Sequence, residues 1–244
     1  MKIVVVNGSP RGRAGNTQIM AAAFLQGAQA AGAETVNIFL AEKQIQYCRG
    51  CFSCWMVTPG QCILDDDMKY VLAEAEGADV LVLASPLYFD TVSGMLKVFL
   101  ERLVVKGDPH FSKTANGESR HWQKPEEKTP RLVMMSNCGF PERSHFQAMS
   151  LWVRRVALNM QTDLLGEIYA SQGGLLAQDL PQVKSYLQWL NQAGREITAG
   201  QALSAETREA LSRPFLPDEL YIQNANQYFD SVLGNAKGKP QGPE

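Results

Sequence analysis

Short apolar runs alternate with longer amphipathic stretches through the first 175 residues or so. Residues 2–7 form a β-branched run closed by Gly8-Ser9-Pro10, the pattern of a strand buried on both faces. Residues 16–31 are rich in Ala and Gln, contain no Pro and stop at Gly32, which predicts a helix. Residues 34–40 read as a second strand. Asp65 opens a helix with Met68, Val71, Leu72 and Ala75 on one face. Residues 78–84 predict a third strand, and Ser93 is placed to cap a helix carrying Met95, Leu96, Phe99, Leu100 and Leu103. Residues 131–136 predict a fourth strand. Phe146, Met149, Val153, Val156 and Met160, spaced by three and four, predict the next helix, and residues 163–170 a fifth strand.

This alternation predicts an α/β fold with a parallel sheet and helices on both faces. Right-handed crossovers leave few strand orders, of which 2-1-3-4-5 is expected here. Two stretches exceed that plan. Residues 106–130 are polar and read as an inserted loop; its His110, His121 and Trp122 suit either a lid or a solvated insertion. Residues 1–178 are read as the main domain and 179–244 as a C-terminal helical extension. The extension should carry helices at 181–199 and 218–233, then an unstructured tail from Gly234. A stripe at Ile222, Ala225, Phe229 and Val232 marks the last helix as a subunit-interface candidate.

Composition narrows the function classes. The 244 residues are 45% hydrophobic and 20% charged, which excludes a disordered or fibrous chain. With 23 Lys and Arg against 25 Asp and Glu there is no basic footprint, so no nucleic-acid partner is expected. The N-terminal apolar run is shorter than a signal peptide requires, and no stretch approaches the roughly 20 apolar residues of a membrane span. A cytoplasmic protein is expected.

Ligands of open parallel sheets sit beyond the carboxyl ends of the strands, at the switch in strand order. Here those loops have unusual composition. The first, residues 8–17, combines Ser9, Arg11, Asn16 and Thr17 with Gly8, Gly12 and Gly15, ahead of a helix N-terminus that favours phosphate. It is neither a dinucleotide nor a Walker loop. The second runs Ser85-Pro86-Leu87-Tyr88-Phe89, then Ser93-Gly94, and its aromatics suit a flat ligand. The third contains Asn137, Cys138 and Gly139.

Together these motifs resemble the flavodoxin-like NAD(P)H-dependent FMN reductases over residues 1–175. Ser9, Arg11, Asn16 and Thr17 are similar to that family's phosphate loop, with one extra residue after Arg11. Ser85-Pro86-Leu87-Tyr88 with Ser93-Gly94 and Lys97 looks like its isoalloxazine loop. The resemblance implies a flavodoxin-like three-layer sandwich with FMN bound non-covalently. It also implies NAD(P)H as co-substrate, electron delivery to a quinone, nitro compound, metal ion or redox protein, and a homodimer or homotetramer. No acid or base is demanded by hydride transfer, so no catalytic side chain is assigned.

Cys48, Cys51, Cys54 and Cys62 form C-x2-C-x2-C-x7-C. The residues alone leave three readings: a [4Fe–4S] cluster, zinc, or free thiols in a loop buried by Phe52, Trp55 and Ile63. The pattern resembles the iron–sulfur flavoprotein branch of the same family, with a longer last gap, and this implies a cluster beside the FMN. Its alternative function is then one-electron transfer between ferredoxin-like partners. Cys138 reads as a buried small hydrophobe, and Asp65-Asp66-Asp67 as a helix N-terminus.

Overall fold

Alternate residues of each central strand feed two different cores in the computed structural model, which describes residues 1–115, 117–123 and 128–237. The chain runs β1 (Lys2–Asn7), α1 (Asn16–Ala30), β2 (Glu34–Phe39), the single turn α2 (Ser53–Met56), α3 (Met68–Ala75), β3 (Val80–Pro86) and α4 (Gly94–Arg102). It continues with β4 (Phe111–Lys113), β5 (Ser119–His121), β6 (Arg131–Asn137), α5 (Gln147–Asn159) and β7 (Leu164–Ala170). The last elements are α6 (Pro181–Thr198), α7 (Ala205–Ala210) and α8 (Asp218–Lys237). The sheet order is β2-β1-β3-β6-β7, with every pair parallel. Leaving the β4–β5 hairpin out of the count, this is the expected 2-1-3-4-5.

Side chains alternate across a strand, so Ile3 and Val5 join one core while Val4 and Val6 join the other. The first core is closed by α1 and α6 through Phe24, Ala28, Leu190 and Ile197. The second is closed by α3, α4 and α5 through Val71, Phe99, Met149 and Val153. Helices α1 and α6 meet backbone to backbone. A Cβ on Gly27 would lie 1.8 Å from the Asn191 carbonyl oxygen, and one on Gly194 would lie 2.1 Å from that of Phe24. Only glycine permits so close a crossing.

Several expectations need correction. The insert carries the antiparallel hairpin β4–β5; strands of three mostly polar residues leave no period-2 apolar signal. Helix α3 starts at Met68 rather than Asp65, because Asp66 and Asp67 bind backbone instead: Asp66 accepts from Gln46 and Met68 N–H, and Asp67 from Gln44 N–H. Strand β3 starts at Val80, later than expected, and reaches Pro86. The six-residue α7, started by a Ser204 cap, was not expected. The expected tail from Gly234 is helical to Lys237, and residues 238–244 lie outside the described residues. Ile222, Phe229 and Val232 are exposed on the single chain. Among the described residues no helix is long and apolar enough to cross a membrane.

Candidate functional site

Four strand-end loops converge beyond β1, β3, β6 and β7, tied mainly by backbone and buried polar side chains. Gly8 N–H donates to Ala84 O at 2.8 Å, and Leu87 N–H to Asn137 O at 2.8 Å. Ser93 is the hub of the first two loops. Its hydroxyl donates to Gly8 O at 2.6 Å and caps α4 by accepting from Leu96 N–H, while its own N–H donates to Ser85 Oγ. Asn137 Nδ2 donates to Thr17 Oγ1 at 2.9 Å, and Asn16 Nδ2 to Gly173 O at 2.8 Å. Ser9, Thr17, Ser93 and Asn137 are all buried. These expected ligand residues therefore build the wall of the cradle, with their side chains turned into the loop framework.

What the cradle offers is backbone. The first N–H groups of α1 have no intrahelical acceptor, and no side chain caps them. Gly15 packs so tightly that a Cβ there would come within 2.6 Å of Ser9 Oγ. Arg11 is exposed at the loop's edge, its guanidinium folded onto Ala14 O at 3.0 Å. An uncapped helix start beside an arginine is chemistry for a phosphate. At the rim, Tyr88 and Thr91 exchange backbone hydrogen bonds around Phe89 and Asp90, which have φ of 46° and 64°. That mirror-image turn leaves the Phe89 ring fully exposed and Tyr88 half-exposed, so both rings are available to a flat ligand. Gly94 begins α4 with open space at its Cα, and Pro86 ends β3.

The sequence did not point to the fourth loop. Gln172, at φ 56°, donates its N–H to Phe140 O, and Gly173 N–H donates to Cys138 O at 2.7 Å. Its signal was Ser171-Gln172-Gly173-Gly174, a polar, glycine-paired strand end like the other three. Nor was Tyr221 expected. From α8 its hydroxyl donates to Gly139 O at 2.7 Å, so the C-terminal extension holds the third loop. Cys138 is buried there, and burial pushes its thiol pKa up, as suits a small core residue.

The cysteine segment lies elsewhere, between β2 and α3. Cys48, Cys51, Cys54 and Cys62 all line one pocket of about 330 Å³, with Gly50, Phe52, Leu64, Arg102 and Val105. Burial, then the Cys62 sulfur, then Cys51 and Cys48 act on Cys54, whose thiol pKa rises. Cys51 is exposed, and hydrogen bonding to Ser53 lowers its pKa. Among the described residues no three His, Cys, Asp or Glu side chains come together as preformed metal ligands. Four cysteines lining one pocket are the donor set of a thiolate-held group. The expected burial by Phe52 and Ile63 is corrected: both are exposed. Of the three, Trp55 is turned inward, donating from Nε1 to Val104 O at 2.8 Å. The hairpin reaches this segment too, because His121 lies against Trp55 with centroids 5.3 Å apart.

Comparison with known proteins fits this geometry. Residues 1–122, half of the chain, match the model of the NADPH-dependent FMN reductase family. The chain belongs to that family. As an FMN reductase family member it is 36% identical over 107 residues to an iron–sulfur flavoprotein of Archaeoglobus fulgidus, covering 44% of this chain and 47% of that protein. It is 37% identical over 102 residues to an iron–sulfur flavoprotein of Methanocaldococcus jannaschii, covering 42% and 51%. The matched segment thus spans about half the length of these curated relatives. Among solved structures, an NAD(P)H:quinone oxidoreductase from Methanothermobacter marburgensis superposes with TM-score 0.58 at 15% identity, covering 81% of this chain and 96% of that one. An FMN-dependent NADH-azoreductase from Bacillus anthracis gives 0.56 at 15%, covering 83% and 99%. At such identities the structural matches speak for the flavodoxin-like fold of this reductase-family chain.

Proposed function

We propose that this chain is an FMN-dependent NAD(P)H oxidoreductase that also holds a [4Fe–4S] cluster. The observation that carries the flavin half is the cradle: an uncapped α1 N-terminus closed by the Ser93–Gly8 and Asn137–Thr17 bonds. In this reading the backbone N–H groups around Asn16 and Thr17, with Arg11, receive the flavin phosphate. Ser9 and Gly15 keep that loop tight. Pro86, Leu87, Tyr88 and Phe89 flank the ring system, Ser93 and Gly94 fix the second loop, and Asn137 and Gly139 bring up the third. When bound, FMN supplies hydride uptake from NAD(P)H and delivery of the two electrons to an acceptor. The exposed Tyr88 and Phe89 rings exclude water from one side of that exchange and leave room for a small aromatic acceptor such as a quinone. An Arg11→Ala protein purified with full FMN occupancy would falsify the phosphate-loop assignment.

The cluster half rests on four cysteines lining one pocket, and the iron–sulfur flavoprotein names of the relatives support it. Cys48, Cys51, Cys54 and Cys62 would supply the four thiolates, and the cluster single-electron transfer. This favours a redox protein as the physiological acceptor over a small molecule. Faster reoxidation of the NADPH-reduced protein by an oxidised ferredoxin than by a quinone is the expected result. Fast steady-state NADPH:quinone turnover by iron-free protein would instead favour the plain reductase. The exposed stripe of Ile222, Phe229 and Val232 supports a homodimer or homotetramer, checked by the mass of Phe229→Asp in light scattering.

A further inference from the structure

Helix α4 ends with a charge on its buried stripe: Leu96, Phe99 and Arg102 are spaced by three and all are buried. The Arg102 side chain is 2% exposed, and that of its partner Asp66 is 4% exposed. The guanidinium is gripped along its outer edge. Nη1 donates to Asp66 Oδ2 at 2.6 Å and to Gln46 O at 2.8 Å, and Nη2 donates to Asp66 Oδ1 at 3.1 Å. The Nε–H is buried and has no acceptor among the described residues. Native folds seldom leave such a donor unmatched. Arg102 also lines the cysteine pocket, whereas Asp66 lines a separate hollow with Gln44, Asp65, Asp67 and Tyr70. The ion pair is therefore oriented with its positive end at the cysteines.

We propose that Arg102 is a positioning residue for a thiolate-held cluster, donating its Nε–H to sulfur in the cysteine pocket and offsetting the negative charge of the four thiolates. The inference rests on the cluster reading given above. A purely structural pair would account for the Nη contacts but not for the free Nε–H, nor for the face Arg102 presents to the pocket. Arginine stays charged at every working pH, so its contribution is constant. One-electron reduction adds a negative charge to the cluster, and hydrogen bonds and nearby charge set how readily it does so.

The test uses protein purified without oxygen, with iron and labile sulfide assayed before EPR-monitored redox titration. Asp66→Asn/Arg102→Gln removes the pair without leaving a buried lone charge, and Arg102→Lys keeps the charge but moves the donor. We expect the double variant to hold its iron and to shift the reduction equilibrium about tenfold against reduction, a fall of about 59 mV for one electron. Arg102→Lys should fall less. Asp66→Asn alone should rise, since it removes the opposing charge. Equal midpoints in all loaded proteins, or Asp66→Asn and Arg102→Lys moving together, would overturn the inference while leaving the cluster in place. Wild-type protein that binds no iron, even after reconstitution with iron and sulfide, would overturn the cluster reading and this inference with it.

Discussion

The flavin-type cradle and the cysteine pocket lie in one chain but are built in opposite ways. The cradle hangs on the ends of buried strands. Its side chains are buried and bonded to one another before any ligand arrives, as in Asn137 to Thr17 and Ser93 to Gly8. The cysteine segment, residues 48–62, carries one short helical turn, α2, and displays Phe52, Met56 and Val57 to solvent, as does Ile63 just after it. Its inward ties are few: Trp55 to Val104, and Gln46 to both Asp66 and Arg102. The first site is organised by the fold, whereas in the proposed reading the second is organised by the cluster it holds. Such an occupant contributes directly to local stability.

That contrast can be broken by exchanging what each site depends on. The largest effect should come from Cys54→Ser, at the buried cysteine. Iron should fall from about four per chain to near zero, while FMN stays close to stoichiometric. Loss of both together would mean that the two sites are not separate. Gly15→Ala should do the reverse. Its Cβ meets Ser9 Oγ at 2.6 Å, so FMN affinity should drop by about tenfold or more, a cost of about 1.4 kcal/mol or above, with iron unchanged. Flavin fluorescence titration reads the first quantity and a colorimetric iron assay the second.

Removing the metal sharpens the comparison further. In iron-free protein, amide exchange across residues 44–64 should accelerate by at least about tenfold, while residues 8–17 keep their protection. Equal acceleration in both would contradict the contrast. A smaller effect is expected for Ser93→Ala, which loses a helix cap and the bond to Gly8 O. About 1–2 kcal/mol of stability should go, read as a lower denaturant midpoint.

The smallest effect is with pH. Burial alone would raise the Asp66 pKa, but the Arg102 hydrogen bond and the Gln46 and Met68 N–H groups outweigh it, so the folded pKa lies below the ordinary value. A depressed carboxylate pKa stabilises the fold above its unfolded value of about 3.9, and that share is lost as pH falls through the folded value. Asp66→Asn should therefore flatten the acid limb of a stability profile below about pH 4.

Most of the sheet was legible because its strands are buried on both faces. Ile3–Val6 and the apolar core of β3 read as unbroken apolar runs with no competing helical period. The polar loops at the ends of β1, β3 and β6 stand out against them for the same reason, whereas the loop after β7 and Tyr221 escaped notice. Their roles were less visible. Thr17 and Asn137 share a hydrogen bond across 120 residues, and no local pattern encodes that. Arg102 was not singled out from the sequence. Its spacing of three from Phe99 was the available signal, since it puts a charge on the apolar stripe. Asp66 was hidden among three acids, and the hairpin strands were too short and polar to show a period. Helix α6 read as an added helix, but it shares the core of α1 and the sheet through Leu190 and Ile197.

The central claim is that one chain carries a flavin in the strand-end cradle and a cluster in the cysteine pocket. Its most direct test is one absorbance spectrum of protein purified without oxygen, with FMN, iron and labile sulfide measured on the same sample. The account predicts flavin bands over a broad cluster shoulder, about one FMN and about four irons per chain. A colourless protein that takes up neither FMN nor iron on reconstitution would contradict it.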